Sequence, residues 1–569
     1  MIQDNKILVG VGENPVYMLA DKANRHGLIA GATGTGKTST LKVMAEGLSD
    51  LGVPVFLADI KGDVNSIGLP GEKNDKIKAR LEKMGLAEDA FDPKAYPCRF
   101  WDVYGEDGIP VRAKVSSMGP VLLARLLGLT DVQEGVLNIA FHLADDKGWE
   151  LLDFKDLRAM LTYVADHKDE VVTTYGNVTS QSVGAIQRAL LTLEDEGAEK
   201  FFGEPEMDIA NWFQVSEDGR GYVNLLHCVK LAQHPLLYGM FMLWMLSDLY
   251  ERLPEVGDLD KPKLVFFFDE AHMLFDDAPK ALVEKVTQVV KLVRSKGVGV
   301  FFISQSPSDI PDSILSQLNN KILHGLHAYT PADQKAVKAA AQGLRPNPAI
   351  KTEEVIANLG TGEALISMLD ENGAPGITEK VLICPPESSF TPLAEAAKAM
   401  LITKDPCYET YKDAVDNQSA YEYITEEKEE ADQAAAEAQA QKEAEEAEIA
   451  AQKEAEKQAK EEEKAAKAAA RQASLEEKQA AQLAAQQEKA RQAQYKAEGR
   501  DKYGRTKVQA SVEKAVKSAA KSEARVIGRN VGKSITRGVL GTSNNTANRV
   551  AGNVAGSLFS DLIGGLFKR

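Results

Sequence analysis

Short apolar runs alternate with amphipathic segments through the first 115 residues of the chain. The runs at 27–30 and 53–58 are almost wholly apolar, a pattern typical of strands that are buried on both faces. Between them, residues 39–47 have the composition of a helix. Strand and helix signals in alternation predict an α/β fold with a mainly parallel sheet that is covered by helices on both sides.

The pattern changes between residues 116 and 215, where apolar residues recur at helical spacing. We interpret this region as a mostly helical insertion, and we assign residues 1–115 and 216–400 together to the core. Strand signals resume after the insertion, at 221–226, 264–268, 298–303, 321–326 and 363–367.

Past Thr425 the chain consists mainly of Ala, Glu, Lys and Gln, which are strong helix formers. We predict a linker at 401–425 and a long solvated helix at 426–500. A stable coiled coil needs apolar residues at the a and d positions, and most candidate positions here hold Ala. The composition therefore favours a single or weakly associating helix, with an oligomerising coiled coil as the alternative.

The last segment, 501–569, is a basic, glycine-containing tail with 13 Lys and Arg against 4 Asp and Glu. Six of its basic residues follow one another every four residues, a spacing that makes a basic stripe on a helix: Lys517, Lys521, Arg525, Arg529, Lys533 and Arg537. Four hypotheses remain open for this tail, namely a flexible solvated segment, a contact with nucleic acid, a contact with an anionic membrane, and docking on an acidic protein surface.

Charge and cysteine content narrow the classes of function. The net charge is −17, and because the tail contributes +9, the first 500 residues carry −26. A region with this much negative charge repels nucleic acid over most of its surface, and any DNA contact must therefore be local.

The four cysteines form no CxxC pair, which argues against a disulfide framework or a zinc site. With no signal peptide evident and no apolar run long enough to span a membrane, we expect a cytoplasmic protein without an integral membrane segment.

The most informative motif is GATGTGKT at 31–38, which fits the Walker A pattern between a strand and a helix. A glycine turn in this context directs successive backbone N–H groups at one point, where the phosphates of a nucleotide bind. Lys37 is placed to reach the β- and γ-phosphates, and the Thr38 hydroxyl to bind Mg²⁺. The predicted nucleotide-binding residues are Gly31, Thr33, Gly34, Thr35, Gly36, Lys37, Thr38 and Ser39.

A second motif follows the apolar run at 264–268, where Asp269 and Glu270 stand at the carboxyl end of the predicted strand. Ligands of open α/β sheets lie at that end. We expect Asp269 to hold Mg²⁺, directly or through water, and Glu270 to orient or deprotonate the water that attacks the γ-phosphate.

Two further candidates for catalysis lie near the strand at 298–303. Gln305 follows this strand and is suited to sense the γ-phosphate or to hold the attacking water. Arg294 precedes the strand and is a candidate for an arginine finger supplied by a neighbouring subunit. Arg188 and Arg345 remain alternatives for that role.

Several motifs together resemble the HerA/FtsK superfamily of hexameric DNA-translocating ATPases, and within it most nearly the bacterial YjgR-type HerA-like proteins. The resemblance covers about residues 5–400. The segments that carry it are GATGTGKT, DIKGD at 59–63, FFFDEAH at 266–272, RSKGVGVFFISQ at 294–305, QSPSDIP at 305–311, LSQLNNK at 315–321 and GTGEA at 360–364.

This resemblance implies a RecA-like P-loop core in which the strand before Gln305 lies between the strands of the Walker A and Walker B motifs. It also implies ATP as substrate, Mg²⁺ as cofactor, and a hexameric ring with ATP at the subunit interfaces. Only thirty residues precede Gly31, so we expect the β-barrel that HerA proteins carry before Walker A to be absent.

The sequence can be compared with three classes of function. The motifs favour a ring-forming ATPase motor that acts on DNA, as a translocase or helicase. The acidic body and the extended C-terminal third suggest an alternative, an ATP-dependent assembly or regulatory protein that acts through its C-terminal helix and tail. A metabolic kinase is disfavoured because the Asp–Glu pair serves water more naturally than a substrate hydroxyl.

Overall fold

The computed structural model describes residues 2–257, 259–276 and 280–497. The predicted basic tail lies outside these residues, as do the last three residues of the predicted long helix. The chain divides at residue 435 into two units. The first unit contains the sheet and its covering helices, and the described part of the second is the continuation of one long helix.

The strands form one 13-stranded sheet. Their bounds are β1 Ile2–Gln3, β2 Lys6–Val11, β3 Pro15–Leu19, β4 Gly27–Ala30, β5 Val55–Asp59, β6 Cys98–Asp102, β7 Ile109–Pro110, β8 Val223–His227, β9 Leu264–Phe268, β10 Val298–Ser304, β11 Asn320–Leu323, β12 Glu363–Ser367 and β13 Glu379–Ile383.

The described helices are α1 Lys37–Asp50, α2 Asp75–Lys83, α3 Val115–Met118, α4 Pro120–Leu126, α5 Asp131–Lys147, α6 Phe154–Asp166, α7 Lys168–Tyr175, α8 Ser180–Asp195, α9 Ala198–Phe201, α10 Pro235–Arg252, α11 Lys280–Val293, α12 Asp312–Leu315, α13 Pro331–Gln342, α14 Thr352–Ala357, α15 Glu395–Lys404, α16 Pro406–Tyr411 and α17 Ala420–Ala497.

The centre of the sheet is parallel, in the order β11-β4-β10-β9-β5-β8-β6-β7. Antiparallel strands continue it beyond β11, through β12, β13 and β2. The mainly parallel α/β fold predicted from the alternating pattern is therefore confirmed. The expected position of β10 is also confirmed, because it pairs with the Walker A strand β4 on one side and the Walker B strand β9 on the other.

Alternate residues of the central strands enter two separate hydrophobic cores, one on each face of the sheet. On β9, Phe266 and Phe268 face one core while Val265 and Phe267 face the other. Helix α1 covers the second core, and the first is shared by α4 to α6, α8, α10 and α11. Burial on both faces explains why these strands are apolar along their whole length.

Helices α3 to α9 occupy residues 115–201, so all but the first of these residues lie in the region 116–215 interpreted as an insertion. The segment interpreted as a linker, 401–425, contains the end of α15, helix α16 and the beginning of α17. Helix α17 is 78 residues long, and nearly all its side chains are exposed. In the part of the chain that the structure describes, no helix combines the length and apolar character needed to cross a membrane.

Candidate functional site

The Walker A segment forms a loop between β4 and α1 at the carboxyl edge of the parallel sheet. Neighbouring strands fix its backbone: Gly31 N–H donates to Ser304 O at 3.2 Å, and Ala32 N–H donates to Gly325 O at 2.8 Å. Thr33 and Gly34 are exposed at the tip, and α1 begins at Lys37, so Thr38 and Ser39 lie in its first turn. The unpaired N–H groups of a helix N-terminus attract anions, as the sequence predicted for this loop.

Two glycines of the loop are required by its surroundings. Gly36 has φ of 113°, which is strained for any other residue, and a Cβ there would lie 3.2 Å from Gly362 Cα. A Cβ on Gly31 would lie 2.5 Å from His324 Cβ. The loop therefore packs directly against the end of β11 and the turn before β12.

Lys37 is buried, and its ammonium group lies inside the loop. Its Nζ donates to Gly31 O at 2.6 Å and to Ala32 O at 3.2 Å. Burial lowers the pKa of Lys37, while the nearby carboxylates of Glu270 and Asp269 act in the opposite direction. The structure thus brings Lys37 within the electrostatic reach of both predicted acidic residues.

Asp269 and Glu270 follow the fully buried β9 and are themselves about 95% buried. The Glu270 N–H donates to Asp269 Oδ1 at 3.0 Å. Glu270 has φ of 44° and ψ of 50°, a left-handed conformation that costs a residue with a side chain about 1–3 kcal/mol. This conformation makes the chain turn sharply after β9, so two consecutive carboxylates lie at the carboxyl edge.

Sequence reasoning gave no role to Asp59 and Lys61, which the structure adds to this cluster. Asp59 ends β5, and the pairing of Ala58 with Phe268 places it level with Asp269. Lys61 follows in the next turn, and its Nζ donates to Glu270 Oε1 at 2.5 Å. The sequence feature that indicates them is a second buried strand that ends in an acidic residue, at the start of the DIKGD segment.

Burial disfavours the charged forms of both aspartates. Burial raises the pKa of Asp59 to about 7, and the charge of Asp63 adds to the effect. Burial likewise raises the pKa of Asp269 to about 6, although the charge of Lys61 opposes it. A cation bound beside Asp269 would offset both effects, so the residues present fit a divalent metal ion.

Among the described residues, no three His, Cys, Asp or Glu side chains form a metal site by themselves. Mg²⁺ commonly binds through one or two carboxylates and the phosphates of a substrate, with water completing its shell. Asp269 together with the Thr38 hydroxyl is therefore a sufficient protein contribution.

Gln305 directly follows β10 and is exposed. Because β10 lies between β4 and β9, its carboxyl end is flanked by the Walker A loop and the Asp269–Glu270 turn. Ser304 and Ser306 beside it are fixed by Asp309, which accepts hydrogen bonds from Ser304 Oγ at 2.5 Å and Ser306 N–H at 2.9 Å.

Arg294 is not brought to this cluster. It lies in a 3-10 turn, Arg294–Lys296, that precedes β10, and therefore at the amino edge of the sheet. Its charge contributes to the lowered pKa of His26, which precedes β4 at the same edge. The two alternatives differ in setting: Arg188 is exposed on α8, and Arg345 donates to Pro375 O at 2.6 Å.

The turn before β12, Gly360–Glu363, supports the Walker A loop from the side opposite β10. Gly362 N–H donates to Thr35 O at 2.8 Å, and Arg80 holds Gly362 O. The buried His324 at the end of β11 contacts Thr40 of α1 at 2.8 Å, and burial lowers its pKa to about 4, so it is neutral near pH 7. These contacts fix the loop before any ligand arrives.

Comparisons with known proteins show which family the chain resembles. Residues 4–477 match the family model described as helicase HerA-like C-terminal. A DNA double-strand break repair helicase HerA from Saccharolobus solfataricus is 22% identical over 376 residues, which are 64% of this chain and 66% of that protein. Another from Sulfurisphaera tokodaii is 33% identical over 362 residues, 62% of this chain and 64% of the relative.

The chain thus spans slightly less than two thirds of the length of these curated relatives. Among solved structures, the bacterial conjugative coupling protein TrwB superposes with a TM-score of 0.47 at 16% identity, covering 70% of this chain and 92% of TrwB.

Proposed function

This chain belongs to the family of helicase HerA-like C-terminal proteins, and we propose that it binds and hydrolyses ATP with Mg²⁺ as a ring-forming motor that acts on DNA. One observation carries the proposal. The Walker A loop with Lys37 and Thr38 follows β4, and the distant Asp269 and Glu270 follow β9 at the same edge of the sheet. Gln305 follows the strand between them, and the carboxylates of Glu270 and Asp269 act on the pKa of Lys37.

The loop at 31–38 and the first turn of α1 would hold the phosphates through backbone N–H groups. Lys37 would then move its hydrogen bonds from the loop carbonyls to the β- and γ-phosphate oxygens. Thr38 and Asp269 would hold Mg²⁺, which neutralises charge on the phosphates when it is bound.

Hydrolysis needs one water molecule opposite the leaving oxygen. Glu270 would orient this water and accept its proton, and the Gln305 amide would hold it from the other side. The new bond joins the water oxygen to the γ-phosphorus. The bond from that phosphorus to the β–γ bridging oxygen breaks, and ADP leaves with the electron pair.

A ring is supported by the position of Arg294. Since it lies at the edge of the sheet opposite its own phosphate loop, an arginine finger at this position would serve the site of a neighbouring subunit. Arginine fingers supplied in trans accelerate phosphoryl transfer by about 10³–10⁵-fold. DNA as the substrate is supported by the relatives' names, double-strand break repair helicases.

Mixing two inactive variants tests the ring. Arg294→Ala and Glu270→Gln proteins should each lose most ATPase activity, and mixed rings should regain part of it, because some interfaces then pair an intact Glu270 with an intact Arg294. The same mixing with Arg188→Ala serves as a control. Full activity of Arg294→Ala alone would contradict the assignment.

The DNA part is tested separately, by measuring ATP turnover with and without duplex DNA at 50 and 200 mM salt. Stimulation that weakens at the higher salt is expected for phosphate contacts. Turnover that DNA never changes, together with no DNA binding, would contradict action on DNA.

A second candidate function, ATP-dependent assembly or regulation through the C-terminal region, is favoured by the exposure of α17. A polar helix of 78 residues with exposed Ile449, Leu475 and Leu483 has a long surface for partners. Deleting residues 436–569 retains the contacts that Tyr423 and Glu427 make with Trp149 and Tyr163. Loss of partner association with unchanged ATPase activity would favour this candidate, and unchanged association would contradict it.

A further inference from the structure

Lys61 and Glu270 form an ion pair between the turns that follow two adjacent strands, β5 and β9. The Nζ–Oε1 distance is 2.5 Å, and the pair is asymmetric, with 43% of the Lys61 side chain exposed against 8% of Glu270. The residue proposed to activate water is therefore bonded to a lysine that has no part in the Walker motifs.

The second oxygen of Glu270 is held much less firmly. Glu270 Oε2 lies 3.3 Å from His272 Nδ1, but within the described chain neither atom has a hydrogen-bond partner. The backbone of Glu270 is fixed in its left-handed conformation by the bond to Asp269. Its carboxylate is consequently oriented through a single strong contact, the one with Lys61.

Lys61 lies at the same edge of the sheet as the other cation of the site. Lys37 follows β4, Lys61 follows β5, and Glu270, the partner of Lys61, follows β9 between them. Two ammonium groups at one edge repel each other, and a group with several negative charges between them would relieve this repulsion. The terminal phosphate of a nucleotide in the Walker A loop is such a group.

Resting on the ATPase function proposed above, we propose that Lys61 is a positioning residue that exchanges partners during each cycle. Without nucleotide it pairs with Glu270. When ATP is bound it turns to the γ-phosphate, and Glu270 Oε1 becomes available to the attacking water.

The direction of this exchange follows from charge and mobility. The terminal phosphate carries more negative charge than one carboxylate. The half-exposed lysine side chain is long and flexible, whereas Glu270 is buried beside Asp269. ATP binding would thus release the water-activating carboxylate only when there is a phosphate to attack.

The test combines turnover with a double-mutant cycle in ATP affinity. Lys61→Met is expected to lower kcat by about 10²-fold or more, the scale of losing one group that stabilises transition-state charge, and to weaken ATP binding. Lys61→Arg, which keeps the cation, should recover much of the lost kcat. A lysine that is merely structural would give similar losses in both variants.

The double-mutant cycle measures whether Lys61 exchanges Glu270 for ATP. Glu270→Gln removes the charge with which ATP competes for Lys61, so it should tighten ATP binding when Lys61 is present and fail to do so in the Lys61→Met background. The matched control is Lys6→Met, because Lys6 is similarly exposed and pairs with Glu371 at 3.1 Å away from the carboxyl edge.

Three results would overturn the role of Lys61: unchanged kcat in Lys61→Met, increased kcat, or an equal effect of Glu270→Gln on affinity in both backgrounds. Increased kcat would identify the pair as a simple brake. If instead the unmodified protein fails to hydrolyse ATP, the proposed function itself is wrong, and the two failures are therefore distinguishable.

Discussion

The two edges of the same parallel sheet use buried polar residues in different ways. At the amino edge, neutral side chains bond to backbone: Asn320 Nδ2 donates to Lys22 O and His26 O, both at 3.1 Å, and its Oδ1 accepts from Leu369 N–H at 3.2 Å. At the carboxyl edge, four buried charged side chains cluster: Lys37, Asp59, Asp269 and Glu270.

The charged groups of the carboxyl edge also have shifted pKa values. Burial raises the pKa values of Asp59 and Asp269 and lowers that of Lys37, so folding opposes the charged forms that chemistry needs. Such an arrangement is typical of a site that a ligand completes. Substitutions at the amino edge should therefore lower the free energy of unfolding, whereas substitutions at the carboxyl edge should lower turnover.

The largest effect is expected for Glu270→Gln. Loss of the group proposed to accept the proton from water should lower kcat by about 10²–10⁴-fold. ATP should remain bound, and the melting temperature should fall only slightly, because Lys61, the ion-pair partner that Gln loses, is half-exposed. Phosphate release, nucleotide binding and thermal unfolding measure the three quantities. A Glu270→Gln protein that loses stability and keeps turnover would contradict a catalytic role of the carboxyl edge.

Asn320→Ala should have the opposite profile. It removes the side-chain bonds to Lys22 O and Leu369 N–H at a position that is 1% exposed, whereas His26 O keeps the bond from the backbone N–H of residue 320. Each buried group that loses its bond costs about 1–3 kcal/mol, so a loss of roughly 3 kcal/mol is expected. Urea unfolding measures this loss. kcat per folded molecule should stay close to that of the unmodified protein, and a large fall would show that the two edges are not separable.

At the amino edge, the buried His26 should make the free energy of unfolding depend on pH. Burial lowers its pKa from 6.5 to about 4, so the unfolded chain binds its proton at a higher pH than the folded chain. Stability from His26 is complete above pH 6.5 and falls as the pH drops towards 4, by about 3 kcal/mol at most. His26→Asn should flatten this part of the unfolding free energy against pH, and an unchanged slope would contradict the assignment.

The smallest effect is expected for Lys6→Met. Its partner Glu371, in the turn between β12 and β13, is 79% exposed, and exposed ion pairs contribute about 0–1 kcal/mol. Stability and turnover should both stay near those of the unmodified protein. A strong effect on ATP turnover would show that charge alone, regardless of place, governs the activity.

The carboxyl edge was largely predictable from the sequence because its residues belong to short local motifs. The run at 264–268 indicated a buried strand, and the turn after it had to bring Asp269 and Glu270 to the ligand side. The family resemblance supplied the position of β10 between β4 and β9, which sequence order does not indicate.

The amino edge and the role of Lys61 were not predictable in this way. Asn320 bonds to residues almost 300 positions earlier in the chain, and Lys61 meets Glu270 across 209 positions. Such contacts depend on strand order and register, which neither periodicity nor composition contains. For the same reason Arg294, chosen for its place before β10, could be assigned to an edge only once the sheet was known.

The position of bound ATP decides whether the carboxyl edge is the catalytic site, and a structure of the Glu270→Gln protein with Mg²⁺ and ATP would show it. We expect the γ-phosphate within about 3 Å of Lys37 Nζ, the usual hydrogen-bond distance, with Asp269 beside the metal and Lys61 turned from position 270 towards the phosphate. ATP bound away from the loop at 31–38, or no bound ATP at saturating concentration, would contradict the assignment of the carboxyl edge as the catalytic site.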